Sequence, residues 1–338
     1  MTLWTDSAHG TAAQPIGADL PTLAAGMARA ARGWLDALTA AQQKVAAWPF
    51  VTPERGDWHY APRRRNGLPL REMYEQQRGL AYALLASALS PRGDAKARAI
   101  MALEDVLREL EAGRGPLRDP LNYAFTVFGA PGRYPWGWRV EGHHLIVNAT
   151  LAGPEAVVIT PTFWGTNPAR IPHGPRAGER IMAREYHLGL ELARSLTPEQ
   201  RAVAVFADRS VGNIITERGR AQALREPTGL AFAELGEGQR ELLMSLVGEY
   251  VGNAADALGV PYLARVREAG LERLRLAWAG GMTEGEAFYY RVHGPRLLIE
   301  LDCTQNDANH IHSIWRDPAA DWGRDVLGEH YLHDHDHD

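Results

Sequence analysis

The segment NHIHSIW, Asn309 to Trp315, places two histidines one residue apart inside an apolar run. In an extended strand alternate side chains share a face, so His310 and His312 are predicted to project together. Two neutral imidazoles so placed can both donate ring-nitrogen lone pairs to one metal ion. A second segment, WRVEGHHLIVNAT, carries Glu141, His143 and His144. The same alternation applied there pairs Glu141 with His143 on one face and puts His144 on the other with Asn148. Only one of the adjacent histidines then faces a given metal, and the spacing leaves open which. Two histidines from one strand and a third from another make the three-ligand set of a catalytic zinc, with a position left for water or substrate. Iron and copper accept the same donors, so zinc is the first expectation and iron or copper the next.

Other residues surround this constellation in the sequence. Glu141 is the candidate fourth ligand or general base; the alternative is a carboxylate paired with Arg139 or Arg291. Asn306, Asp307 and Asn309, in the run QNDAN, are candidates to hydrogen-bond the ligand rings or to meet substrate, as are Asn148 and Arg316. Plain turn chemistry accounts for QNDAN equally well. The basic run Arg63, Arg64, Arg65 reads either as a solvated loop or as a clamp for an anionic substrate group.

The elements that must position these residues follow from periodicity. Leu23, Met27, Ala30, Trp34, Leu38, Ala41, Val45 and Trp48 step by three or four, which predicts one helix ending at Pro49. Further helical runs cover about 70–89 and 95–110, so that 20–112 is predicted helical. Period-two patterns then predict strands within 121–165, helices return over 178–279, and strands return over 286–316, with HGPR as a hairpin turn. The fold class is α+β: two separated strand groups joining one largely antiparallel sheet covered by helices, in a single domain over 1–338. Such a sheet brings residues near 143 beside residues near 311. LTAAQQKVAAW (38–48) and LTPEQRAVAVF (196–206) echo one another, each with Thr followed three residues later by Gln. They are either two helices begun by the same capping chemistry or a duplicated half.

Composition sets the outer bounds. The chain has 338 residues, 45% hydrophobic and 23% charged, with a net charge of -5, which fits a globular protein and argues against nucleic acid as a partner. A single cysteine, Cys303, allows no internal disulfide and no cysteine-based zinc cluster. No segment has signal-peptide or membrane-spanning character, so a cytoplasmic location and no membrane association are expected. The motifs GxGxxG after a strand, GxxxxGK[ST], HExxH and GxSxG are absent or weak.

EGHH (141–144), PTFWGTNPA (161–169) and TQNDANHIHSIWRD (304–317), with DWHY, GLPL and DWGRDVLGEHY (321–331), resemble the signature segments of a bacterial family catalogued as domain of unknown function 3500. The resemblance covers most of the chain and implies no settled reaction. It extends through His330, which makes that residue a further candidate ligand. The tail LHDHDHD from Leu332 is expected to be disordered and at most a weak metal binder. The leading expectation is a metal-dependent, most simply hydrolytic, enzyme with a mononuclear histidine site and a small organic substrate. The alternatives are an iron or copper oxidoreductase and a non-catalytic metal-binding protein. Oligomeric state is left open.

Overall fold

A computed structural model describes residues 19–325 and 327. The stripe predicted as one helix from Leu23 to Trp48 is two helices, α1 (Leu20–Asp36) and α2 (Ala40–Ala46). Thr39 divides them: its hydroxyl accepts the Gln42 N–H while the Gln42 side chain accepts the Thr39 N–H, a capping box that starts a helix in a new direction. α2 runs into a short edge strand, Ala47–Trp48, and is followed by α3 (Glu75–Ala86) and α4 (Pro91–Leu110). Four longer strands come next, Ala124–Phe128, Trp136–Gly142, Leu145–Leu151 and Thr162–Thr166.

The chain then repeats this succession. α5 (Ala183–Ser195) is followed by α6 (Pro198–Ala204), opened by a capping box at Thr197 and Gln200, and by the edge strand Val205–Ala207. α7 (Glu237–Val251) and α8 (Asp256–Glu268) lead into Arg275–Gly280, Phe288–Gly294, Leu297–Cys303 and Ile311–Arg316. Even the polar staples recur. Gln42 donates to Glu72 O and Gln77 donates to Ala37 O; Gln200 donates to Glu234 O and Gln239 donates to Ser195 O. The echo at 38–48 and 196–206 therefore marks a duplicated unit. The region predicted as helical over 178–279 is interrupted between α6 and α7 by an edge strand and a long loop.

Both strand groups join one sheet, as expected of an α+β fold. The two halves meet where Thr162–Thr166 pairs antiparallel with Ile311–Arg316, and only the edge strands Ala47–Trp48 and Val205–Ala207 pair parallel among the described residues. Helices cover the face that carries Leu145, Val147, Trp164 and Trp315. The opposite face carries Ile146, Phe163 and Ile314 and is covered by loops that contribute Trp58, Tyr60 and Ile214. The polar positions of the strands are thus buried as well, and buried charge must be paired. Arg139 contacts Glu54 and Glu141, and Arg316 contacts Asp321.

The helices also link the halves. α4 packs on α3 and on the strands Leu145–Leu151 and Thr162–Thr166 of the first half and reaches the second through Lys96, whose ammonium lies 2.5 Å from Glu185 of α5 and 3.0 Å from Glu249 of α7. Gly93 permits this approach, since a Cβ there would sit 2.0 Å from the Asn253 carbonyl oxygen. α8 in turn packs against α1.

Candidate metal centre

Three strands set the floor of the site. His312 stands directly opposite Gly165, whose N–H donates to the carbonyl of His144 at 2.8 Å. Gly165 has no side chain, so the rings of His144 and His312 meet over it, their Nε2 atoms 3.2 Å apart. His310, two residues before His312 and on the same face, brings its Nε2 to 2.8 Å from that of His144. The ligand atoms of the three residues all lie within 4.8 Å of one another. A tetrahedral ion with metal–nitrogen bonds of 2.0–2.1 Å needs donors roughly 3.3 Å apart; the two separations that involve His144 lie within a few tenths to half an ångström of that, and side-chain adjustment of His310 and His312 completes a three-histidine set.

His144 reaches the site because it is not in a strand. Gly142 pairs with Leu145, which leaves His143 and His144 as the two residues of a hairpin turn, and His144 takes a φ of 62°. A left-handed conformation is unusual for a non-glycine residue and occurs where surrounding structure holds it. The turn corrects the expected alternation: His143 does not share a face with Glu141. Its ring stacks on His144 at 3.7 Å and engages the Glu104 carboxylate through Nδ1, with the Arg118 guanidinium 3.3 Å away. Of the adjacent pair, His144 faces the cluster.

His310 is presented by a second left-handed element. Asn306, Asp307 and Ala308 have φ of 54°, 55° and 57°, and form a turn closed by bonds from Ala308 N to Thr304 O and from Asn309 N to Gln305 O. Asn and Asp tolerate this region, whereas Ala308 costs about 1 kcal/mol there. The turn reverses the chain immediately before the ligand strand.

His312 has its tautomer fixed from behind. Tyr60 donates its hydroxyl proton to Glu217, so its oxygen accepts from Asn213 Nδ2 at 2.9 Å. That orients Asn213 Oδ1 toward His312 Nδ1 at 2.8 Å, which must carry the proton, and the Nε2 lone pair is left for the cluster. Burial and the neighbouring rings hold His144 and His312 well below the usual histidine range, and burial pushes His310 down to about 4. All three are neutral near pH 7, the protonation state a metal requires.

The remaining sequence candidates serve the frame. Glu141 is held by Arg139 at 2.7 Å, by the His59 N–H and, at 3.8 Å, by Arg65, so it is the paired carboxylate of the alternative reading and not a base at the centre. Asn148 donates to Pro161 O, and Asn306 to Asn167. Asn309 clamps the backbone of Arg170 with both side-chain atoms, and Arg316 is committed to Asp321 and Thr216. Asp307 lies in the left-handed turn beside a cavity of about 580 Å³. Arg65 spends its guanidinium on the carbonyls of His59, Ala61 and Arg63 and is no clamp, while Arg64 is exposed. Cys303 is buried and donates to Ala308 O. His330 and the tail from Leu332 lie outside the described residues.

Sequence reasoning missed Asn213, Tyr60, Gly165, Glu104 and Arg118. Tyr60 and Gly165 sit inside the quoted strings DWHY and PTFWGTNPA, but the loop residue Asn213 and the helix residue Glu104 carry no local signal. No helix among the described residues is long and apolar enough to cross a membrane.

Comparison with curated proteins and with solved structures returns no match. The family model described as Protein of unknown function (DUF3500) matches residues 21–324, and the chain belongs to that family.

Proposed function

We propose that the protein is a metal-dependent enzyme, hydrolytic in the first instance, with one ion held by His144, His310 and His312 and a small organic molecule as substrate. The observation that carries this reading is the grouping of three histidine ring nitrogens, from two separate strand groups, within 4.8 Å of one another. An ion bound there supplies Lewis acidity and activates water, with the fourth position free for the reacting group. His310 is the least buried of the three, so substrate approaches from its side, while Tyr60 and Phe163 wall off His312. Asn213 keeps the His312 lone pair aimed at the ion. Glu141 is excluded as base by its ion pairs; besides Asn213 and Tyr60, the polar side chains beside the cluster are His143, which stacks on His144, and its partners Glu104 and Arg118.

Zinc is the first choice of ion. The all-imidazole donor set also suits copper or iron, which makes an oxidoreductase the competing reading. Metal analysis of protein purified without a nickel column tests the proposal. One tightly held ion per chain, lost on His310→Ala or His312→Ala, supports it; a colourless zinc protein favours hydrolysis, and a coloured or paramagnetic one the oxidoreductase. A chain that takes up no transition metal, or whose content is unchanged in both variants, rejects the centre.

A further inference from the structure

The hairpin Phe288–Cys303 is the second-half copy of the hairpin that carries His143 and His144. Counting back from the turns Gly142–Leu145 and Gly294–Leu297, Arg139 corresponds to Arg291 and Glu141 to His293. In the first half the buried guanidinium of Arg139 is neutralised by Glu141 and Glu54, each at 2.7 Å. In the second half Arg291 is also buried but has no ion pair among the described residues; it donates to Thr228 Oγ1 at 2.6 Å, and its Nε has no partner. His293, on the same strand face and only 1% exposed, has an unpartnered Nδ1. Glu300 stands directly opposite Arg291 in the sheet, but its oxygens accept from Ile215 N–H, Thr216 and Tyr289, which leaves the His293 Nδ1 as a buried polar atom without a hydrogen bond.

A cavity of about 370 Å³ lies beside His293, lined by it and by Arg225, Arg273 and Arg275, with Glu226 its sole acidic lining residue. Arg275 stands directly opposite His293 across the strand pair. Its guanidinium donates only to backbone carbonyls, those of Glu272 and Leu274, and Arg273 only to Ala269 O at 3.5 Å. Arg225 is exposed. Three arginines that make no ion pair among the described residues thus border one hollow, beside a buried ring whose Nδ1 lacks a hydrogen bond.

We propose that this cavity binds a compact oxyanion, a carboxylate or phosphate group of a small molecule. Guanidinium forks match the planar or tetrahedral oxygens of such groups, and His293 adds a ring N–H. The volume suits a metabolite-sized ligand and excludes a polymer. The site is distinct from the histidine centre and does not depend on it.

Calorimetric titration of the full chain with inorganic phosphate, and separately with acetate, at constant ionic strength tests the proposal. Saturable binding of at least one is expected, about tenfold weaker in Arg225→Gln, since one charge-assisted hydrogen bond is lost. It should be absent in His293→Glu, whose built-in carboxylate takes the anion's place; that variant should also melt higher than wild type in anion-free buffer. Tighter phosphate binding assigns a phosphorylated ligand and tighter acetate binding a carboxylate. No saturable binding of either anion, or binding that survives either substitution unchanged, overturns the site. Should His293→Glu fail to fold, the exposed Arg225→Gln decides alone.

Discussion

Gly165 lies directly opposite His312 in the sheet and directly beneath the ring of His144. A Cβ built on Gly165 would stand 3.2 Å from both Cγ and Cδ2 of His144 and 2.7 Å from the Ile311 carbonyl oxygen. The glycine is the gap through which two imidazoles from non-adjacent strands meet. Gly165→Ala is expected to fold, at a cost of about 1–3 kcal/mol from overpacking. It should displace His144 and weaken metal binding by about 10–100-fold. Metal affinity by chelator competition, read beside a urea melt, checks it; unchanged affinity would show that His144 is not a ligand.

Asn213 acts on the centre only through His312. Replacing it with Ala frees the His312 tautomer, so about 10–100-fold of metal affinity should be lost with little change in metal-free stability. Asn213→Asp keeps an acceptor facing Nδ1 and should restore most of it. Equal affinities for the two variants would mean that the Asn213 contact orients nothing.

Stability should fall on mild acidification through His293. Burial, aided by the Arg291 charge, pushes this histidine down to about 4, below its usual 6.5. The charged groups around it are Arg291, Arg225, Arg273, Arg275 and Glu226. The unfolded chain therefore binds the proton first. Stability is fully present above pH 6.5, declines as the pH drops through the interval, and is lost below about 4, by on the order of 3 kcal/mol. Comparing denaturant midpoints of wild type and His293→Gln from pH 7 to 4, in anion-poor buffer, should show a shallower pH dependence in the variant.

Lys96 is expected to matter to folding and not to chemistry. Lys96→Met leaves Glu185 and Glu249 buried together without their shared cation and should destabilise the chain by about 3–5 kcal/mol. Burial already raises Glu185, which Lys96 opposes. The deficit should consequently shrink as the pH is lowered and the glutamates protonate. Urea unfolding at two pH values measures both effects.

The parts of the fold that were legible in sequence are those governed by local periodicity. Alternation marked the strands 136–151 and 311–316, and the His-x-His spacing correctly put His310 and His312 on one face. Periodicity reads one helix from Leu23 to Trp48 because the apolar stripe continues across Thr39; only the Thr–Gln capping box, which also makes the echo with 196–206, marks the break. Strand alternation pairs His143 with Glu141 for a related reason, since it takes the turn residues 143 and 144 as part of a strand. A two-residue turn normally announces itself with Gly or Asn, and here the left-handed position is filled by histidine, a local violation that the centre itself explains. Glu141 looked like a base because carboxylate and histidine adjoin in sequence. The guanidinium groups that claim it come from residues 65 and 139, and no local pattern predicts that meeting.

The repeat gives the molecule the outline of a homodimer and the freedom of a heterodimer. Were the two halves separate identical subunits, every substitution that built an imidazole cluster at one hairpin tip would build it at the other. Covalent joining removes that constraint. The tip at Gly142–Leu145 carries His143 and His144, while its counterpart at Gly294–Leu297 carries Pro295 and Arg296, with Arg296 bound to Asp317 and Asp325. α4, through Lys96 with Glu185 and Glu249, and α8, through its packing on α1, tie the specialised half to the supporting one. The three-histidine cluster accordingly occurs at one hairpin tip and has no counterpart at the other among the described residues.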